Sequence, residues 1–523
     1  TTLFRSAQTA ALTTDQISVI SSTAIRALNT SDTAALTTDQ IVALNTNQLG
    51  ALSTTQVAAL NTNQVSAIET TDIGALNTAA VRALSTAAVG ALTTDQIVAM
   101  TSTQIAALGT TQVAALNTNQ VSALETTDIA ALTTAQVAVL NTAHATALTT
   151  LHVGALTTAD MRVFKTADIA VLSSDQIASL TSAQIASMST SQFAVFNTNQ
   201  ASAIETGDLA GLNTADMRAF STAAINALTT DQIAALNTAQ INALGTNQVA
   251  ALTTDQVSNI ETTDLAAMSS AQVGSFNTAQ VAALTTTQIG VMTTAQVRAL
   301  TTTDVGALTT DQIVALSSAQ IGAMSTTQIA ALNTNQATAI ETGDLVGLNT
   351  ADMRAFSTAA INALTTDQIV ALNTAQINAL SSTQVAALST DQVSNIETTD
   401  LAAMSSAQVG AFTTNQVASL TTSQIGVITT ADIRALNTAN IAALTTDQVV
   451  AMNSAQVAAM SSTQFASLNT AQLSAMETGD ISVVTSSQLA ALNTAQAAAL
   501  TTDQISVISR SEERRVGKEC LRL

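Results

Sequence analysis

An eight-residue period runs from Leu3 to Ser506 without one insertion or deletion, giving 63 consecutive octads. A chain of this kind can adopt only architectures in which every repeat meets nearly the same surroundings. The octad Ala227 to Ala234, ALTTDQIA, is representative. Position two is always Leu, Ile, Met, Phe or Val, and position four is always Thr or Ser. Position seven is Ile, Val, Leu, Met or Phe in all but six octads, which carry Ala or Thr. All nine Phe and all twelve Met fall at positions two or seven, so these two columns are the candidate core. The 523 residues would make three or four ordinary domains by length. The unbroken period instead makes 1–509 a single octapeptide-repeat solenoid, with 510–523 a separate tail.

The octad encodes a helix start. One continuous α-helix would drift by about 80° per octad at ~3.6 residues per turn, so its apolar stripe would spiral away from any partner. Asn, Thr or Ser at position three followed by Gln or Asp at position six reproduces the capping-box spacing. Position three is then the N-cap, and positions two and seven become the N′ and N4 residues of a hydrophobic staple. All 25 Asp occupy positions five or six, the first helical turn, where a carboxylate opposes the positive end of the peptide dipoles. The expected fold is all-α, a solenoid of very short stacked helices, one per octad. Such helices cannot survive alone, because nucleation is costly, so stacking must hold them. The competing architecture is a β-solenoid with sixteen-residue coils, against which stand the Ala-rich positions and the scarcity of corner glycines.

A longer order lies above the octads. AIETGDLA at Ala203 and AIETGDLV at Ala339 open nearly identical stretches, 17 octads apart. Glu stands at position three at Glu69, Glu125, Glu205, Glu261, Glu341, Glu397 and Glu477, separated alternately by seven and ten octads. Arg stands at position eight at Arg26, Arg82, Arg162, Arg218, Arg298, Arg354 and Arg434 with the same alternation. Tandem duplication of a 17-octad unit accounts for the pattern. Near-integral superhelical turns of about 3.4 octads would in addition align these charges on one face.

The net charge of -21 argues against sequence-independent nucleic-acid binding, which depends on Lys and Arg. No run of eighteen apolar residues is present, so no membrane-spanning helix is encoded. The opening TTLFRSAQTA has neither an initiating Met nor a basic stretch followed by an apolar core, and a start upstream of Thr1 is expected. The frame breaks after Ser509. Arg510 to Cys520 reads RSEERRVGKEC and resembles a translated sequencing adapter, a contaminant of proteins from metagenomic assemblies. Without the tail's five bases and three acids, 9 bases and 32 acids remain and the net charge becomes -23. The only Cys goes with the tail, so disulfides do not stabilise the repeats.

Few side chains carry chemistry. His144 and His152 occupy position six of adjacent octads, and Asp160 and Asp168 follow at the same position. A regular solenoid with one octad per rung would align the four as a column of metal ligands; polar replacement of Gln in a capping row is the plainer reading. No H-E-x-x-H or EF-hand pattern occurs. Glu69 with Asp72 and Glu205 with Asp208 have acid-base chemistry, but their recurrence in seven octads favours capping and solvation. No cofactor is implied and no rung holds a distinctive catalytic set, so an enzyme is not expected. The hydroxyl column at position four suits local capping. On a flat β-solenoid face it would instead suit ice or a glycan, read through the Thr, Asn and Gln columns.

Octads of the form A-L-T-T-x-Q-[IV]-x over Leu3 to Ser509 resemble the low-complexity repeat regions of large bacterial surface or secreted, adhesin-like exoproteins. The resemblance implies a non-enzymatic, elongated stalk or spacer, extracellular or at the cell surface, with other surface proteins or glycan as partners.

Overall fold

The computed structural model of the protein describes residues 5–508, so the adapter-like segment Arg510 to Cys520 lies outside the described residues. Among them are sixty α-helices and two 3-10 helices, with a further helical run at 502–508, and no strand. The all-α solenoid is the observed fold, and the β-solenoid is excluded. The chain divides into two compact units, Thr1–Ala267 and Met268–Leu523, although the octad frame passes from Ala267 to Met268 without a break.

One octad explains the local geometry of the others. The helix Ser318–Ala323 begins after the N-cap Ser317, whose φ of -78° and ψ of 163° are extended. The Gln320 N–H donates to Ser317 Oγ at 3.4 Å, and Gln320 Oε1 accepts from the Ser317 N–H at 2.8 Å, closing the expected capping box. The helix stops at Met324, which is extended again (φ -60°, ψ 145°), as is the next N-cap, Ser325 (φ -75°, ψ 156°). Two consecutive extended residues therefore turn this corner. No described residue has a positive φ, which is why corners need neither Gly nor Pro.

The apolar columns form the core at unequal depth. Position seven is sealed, as at Ile289 (1 %) and Ile321 (0 %), whereas position two retains a sliver of exposure, as at Met292 and Met324 (4 % each). In the first unit the rings of Phe193, Phe196 and Phe220 pack with centroids 5.4 to 5.8 Å apart, an arrangement that adds to burial.

Helices stack on those three octads away: Thr54–Ala58 packs on Thr78–Ala83, and Thr334–Ala339 on Thr358–Ala363. The polar link between turns is the position-six amide. Gln320 Nε2 donates to Ile289 O at 2.9 Å and Met292 O at 2.8 Å, 31 and 28 residues back. Gln184 repeats this with Val153 O (2.9 Å) and Leu156 O (2.7 Å), as does Gln56 with Ile25 O (2.7 Å) and Leu28 O (3.0 Å). One turn thus takes about three and a half octads, bracketed by helix packing three octads apart and by amide bonds reaching nearly four. The 3.4 octads per turn expected from the charge spacing fall inside that range.

The two nearly identical stretches share one departure. Thr206–Gly211 and Thr342–Gly347 are 3-10 helices, and each lies close against the preceding turn, at Ser182–Ser187 and Ser318–Ala323 respectively. A methyl group built on Gly347 would overlap Ser318 O, and one on Gly322 would overlap Gly347 O. At Gly343 such a methyl meets nothing within 4 Å.

These contacts set two expected outcomes. Gly347→Ala should cost about 1–3 kcal/mol through forced backbone displacement, and Gly343→Ala less than about 0.5 kcal/mol, as read by urea denaturation. Gln320→Glu retains an oxygen for the Ser317 N–H but sets a carboxylate against two carbonyls. At neutral pH it should cost about 1–3 kcal/mol and accelerate amide exchange in the helices around Ile289 and Gln320. Its carboxyl would titrate above the unfolded value, so stability should be regained at acid pH and lost as pH rises; equal exchange in variant and wild type at pH 7 would refute the staple.

Candidate functional site

The position-six column gathers the side chains with chemical potential, and the solenoid buries it. His144, His152, Asp160 and Asp168 are exposed by 3, 4, 1 and 3 %. Their order along the chain is not their order in space. Successive octads stand around the same turn, so the rung above a given residue comes from about three octads later. Electrostatic coupling accordingly joins His144 to Asp168 and His152 to Asp128. The structure does not bring the four residues together as one column. Among the described residues no three His, Cys, Asp or Glu side chains are grouped to hold a metal ion.

Each of the four has a structural setting of its own. His152 imitates Gln: Nδ1 accepts from the Thr149 N–H at 3.2 Å, and Nε2 lies 2.7 Å from Leu124 O, which it can reach only as an N–H donor. The ring is therefore neutral, with its proton on Nε2. Burial lowers the His152 pKa, opposed by the bond to the Leu124 carbonyl and by Asp128. His144 Nε2 makes the same contact with Leu116 O at 2.7 Å, but its buried Nδ1 has no partner. Asp160 Oδ2 accepts from the Thr157 N–H (3.0 Å) and hydroxyl (2.6 Å). Burial raises the Asp168 pKa against the counteracting charges of Lys165 and His144. Lys165 stands at an N-cap position and spends Nζ on Leu140 O at 2.7 Å. An open depression of about 280 Å³ borders this region, with Thr149, Val171, Ser173 and Asp175 on its walls.

At several rungs where position six is Asp, the side chain, too short to reach back across two carbonyls, instead accepts a hydroxyl from the turn below. Thr374 Oγ1 donates to Asp400 Oδ1 at 2.6 Å, and Ser454 Oγ to Asp480 Oδ1 at 2.6 Å. Both donors are position-four residues 26 positions earlier. Part of the hydroxyl column is thus committed to joining turns. Asp72 and Asp208 of the E-T-x-D octads are engaged in the same way, by Thr46 and Ser182. Their companions Glu69 and Glu205 make no side-chain cap bond. Burial also raises the pKa of Asp216 and Asp352, each opposed by a backbone hydrogen bond, from Asn213 and Asn349. The periodic-ligand reading loses its basis, because it needed a flat strand face and the Gln column is buried rather than presented.

Sequence reasoning missed the amide's second role. The signal was present: all 41 Gln lie at position six, and none of the 63 octads has Glu there. A capping box accepts either residue; a second role as N–H donor to the turn beneath favours Gln over Glu.

The lowered His152 pKa gives a signed prediction. Stability from neutral His152 is complete above the unfolded value near 6.5 and is lost as pH falls through the lower folded value. His152→Gln should therefore unfold at higher temperature than wild type near pH 5, with a smaller difference at pH 8. A gap that does not change with pH would refute the assignment.

No curated protein and no solved structure matches the chain at a significant level. The ALTTAQ repeat family matches 9–190, 201–462 and 473–509 in sixteen stretches, overlapping except at two gaps. Most stretches begin roughly three or four octads after the one before, close to the length of one turn. With capping box, buried apolar columns and matched repeats all in one frame, the chain belongs to the ALTTAQ repeat family.

Proposed function

We propose that the chain is a non-enzymatic structural and interaction repeat, serving as a stalk or spacer segment of a larger bacterial surface or secreted protein. The observation that carries this reading is the use made of position six. Gln, His and Asp side chains that could perform chemistry are buried and bonded to caps or to neighbouring turns. A repeat whose polar groups are spent on its own stacking provides length and surface. Nearest-neighbour stacking accommodates added copies at little cost, and the negative charge favours solubility. Location outside the cell and partners among surface proteins or glycans follow from the resemblance to adhesin-like exoproteins. The segment Arg510 to Cys520 is read as adapter-derived; sequencing across the gene's 3′ end tests that.

Removing residues 203–338 deletes 17 octads and joins Ser202, at position eight, to Ala339, the equivalent of Ala203, so the octad frame is kept. A spacer should keep its per-residue helical circular dichroism and show only a smaller radius of gyration by X-ray scattering. Loss of helicity beyond the deleted fraction would overturn the reading.

A further inference from the structure

The Arg and Glu columns have one relation that duplication alone leaves without a physical consequence. Arg26 precedes Glu69 by five octads and three positions, Arg434 precedes Glu477 by the same interval, and so do the five pairs between them. The first unit holds four such pairs and the second holds three, so no pair spans the boundary at Ala267. Within each unit, a spacing of seven octads is two turns of three and a half, and ten octads is close to three turns. Each charge type therefore forms a row along one side. The Arg-to-Glu interval is about one and a half turns, which places the Glu row on the side opposite the Arg row, so each charge type keeps to one face but the two types do not share it.

Both rows are exposed. Glu69, Glu205, Glu341, Glu397 and Glu477 sit at N-caps without a side-chain cap bond. Arg218, Arg354 and Arg434 are held in place: each Nε donates to a carbonyl of the next turn, Ala243, Ala379 and Ala459, at 3.1 to 3.2 Å. That uses one of five N–H donors and leaves the outer guanidinium face for a carboxylate.

We propose that the Arg row is a docking surface for the Glu row of a second copy of this chain. The copies lie side by side in the same direction, displaced by about one and a half turns. Within a unit, two rows with the same alternation and a constant offset meet pair by pair under a single displacement. Each exposed pair is weak, and specificity comes from several closing together. Because the rows occupy opposite sides, the contact is heterologous and permits lateral arrays. The inference rests on the structural-repeat reading and adds its partner.

Sedimentation velocity of the full chain decides it, from about 5 to 200 µM in roughly 0.1 M salt, where screening acts beyond ~10 Å. Wild type should associate with rising concentration, and at about 1 M salt the association should weaken at least fivefold. Changing the seven Arg to Gln, or in another protein the seven Glu to Gln, should each weaken association at least tenfold. An equimolar mixture of the two variants should associate, since each retains the row the other lacks. Neutralising Glu lowers the net negative charge, which alone would favour association, so its loss is diagnostic even if the Arg variant folds poorly. Wild type that stays monomeric throughout, a Glu-row variant that associates like wild type, or two helical variants that stay apart when mixed would overturn the proposal. The spacer reading would stand, because truncation tests it separately.

Discussion

Everything in this fold depends on one side-chain amide facing two ways. A helix of five or six residues has at least as many orphan backbone groups as satisfied ones, and its nucleation cost exceeds what so few bonds return. The position-six Gln addresses both problems. Its oxygen accepts the N–H that opens its own helix, and its nitrogen donates to two carbonyls of the turn beneath, as Gln184 does with Val153 and Leu156. Folding of one octad is thereby tied to the presence of others three to four octads away. The apolar columns supply most of the driving force, but burial alone is indifferent to register. The amide fixes which turn lies on which.

Much of this was legible in the sequence, and the part that was not has a common physical origin. The caps at Ser317 and Thr37, the buried columns at Ile321 and Met324, and one helix per octad are local features, and residues three or four apart reveal them. The inter-turn bond at Gln320 is not local. Its donor had already been given a sufficient explanation as a capping residue, which concealed the need for nitrogen as well as oxygen. The same blindness affected His144, His152, Asp160 and Asp168. They are neighbours in sequence, yet coupling pairs His144 with Asp168 and His152 with Asp128. A column in an alignment of octads becomes a column in space only when a turn holds one octad, and here it holds three and a half. The 3-10 geometry of Thr206–Gly211 and Thr342–Gly347 was hidden for a related reason, since the close approach to Ser182–Ser187 and Ser318–Ala323 involves backbone from another turn.

The composition follows from the same geometry. With no described residue at positive φ, the corners create no demand for left-handed Gly. Gly322 and Gly347 stand where backbones press together. Asp, His and Ala at position six mark rungs where the amide is replaced, and the hydroxyl of position four compensates at several of the Asp rungs, among them Asp400 and Asp480.

The staple's acceptors are backbone carbonyls, which every residue type supplies. A Gln therefore cannot tell Val153 from Ile289 beneath it. This makes the contact between turns blind to identity, and a half-integral number of octads per turn means that no octad owns a fixed angular address. Recombination that adds or removes one octad re-pairs only the rungs of the turn above the junction, each with a new but chemically equivalent neighbour, because higher rungs keep their separation from the turn beneath. Such a gene can change length one octad at a time while each intermediate still closes its bonds, so its length is free to drift under selection in a way that a fold with named contacts does not permit.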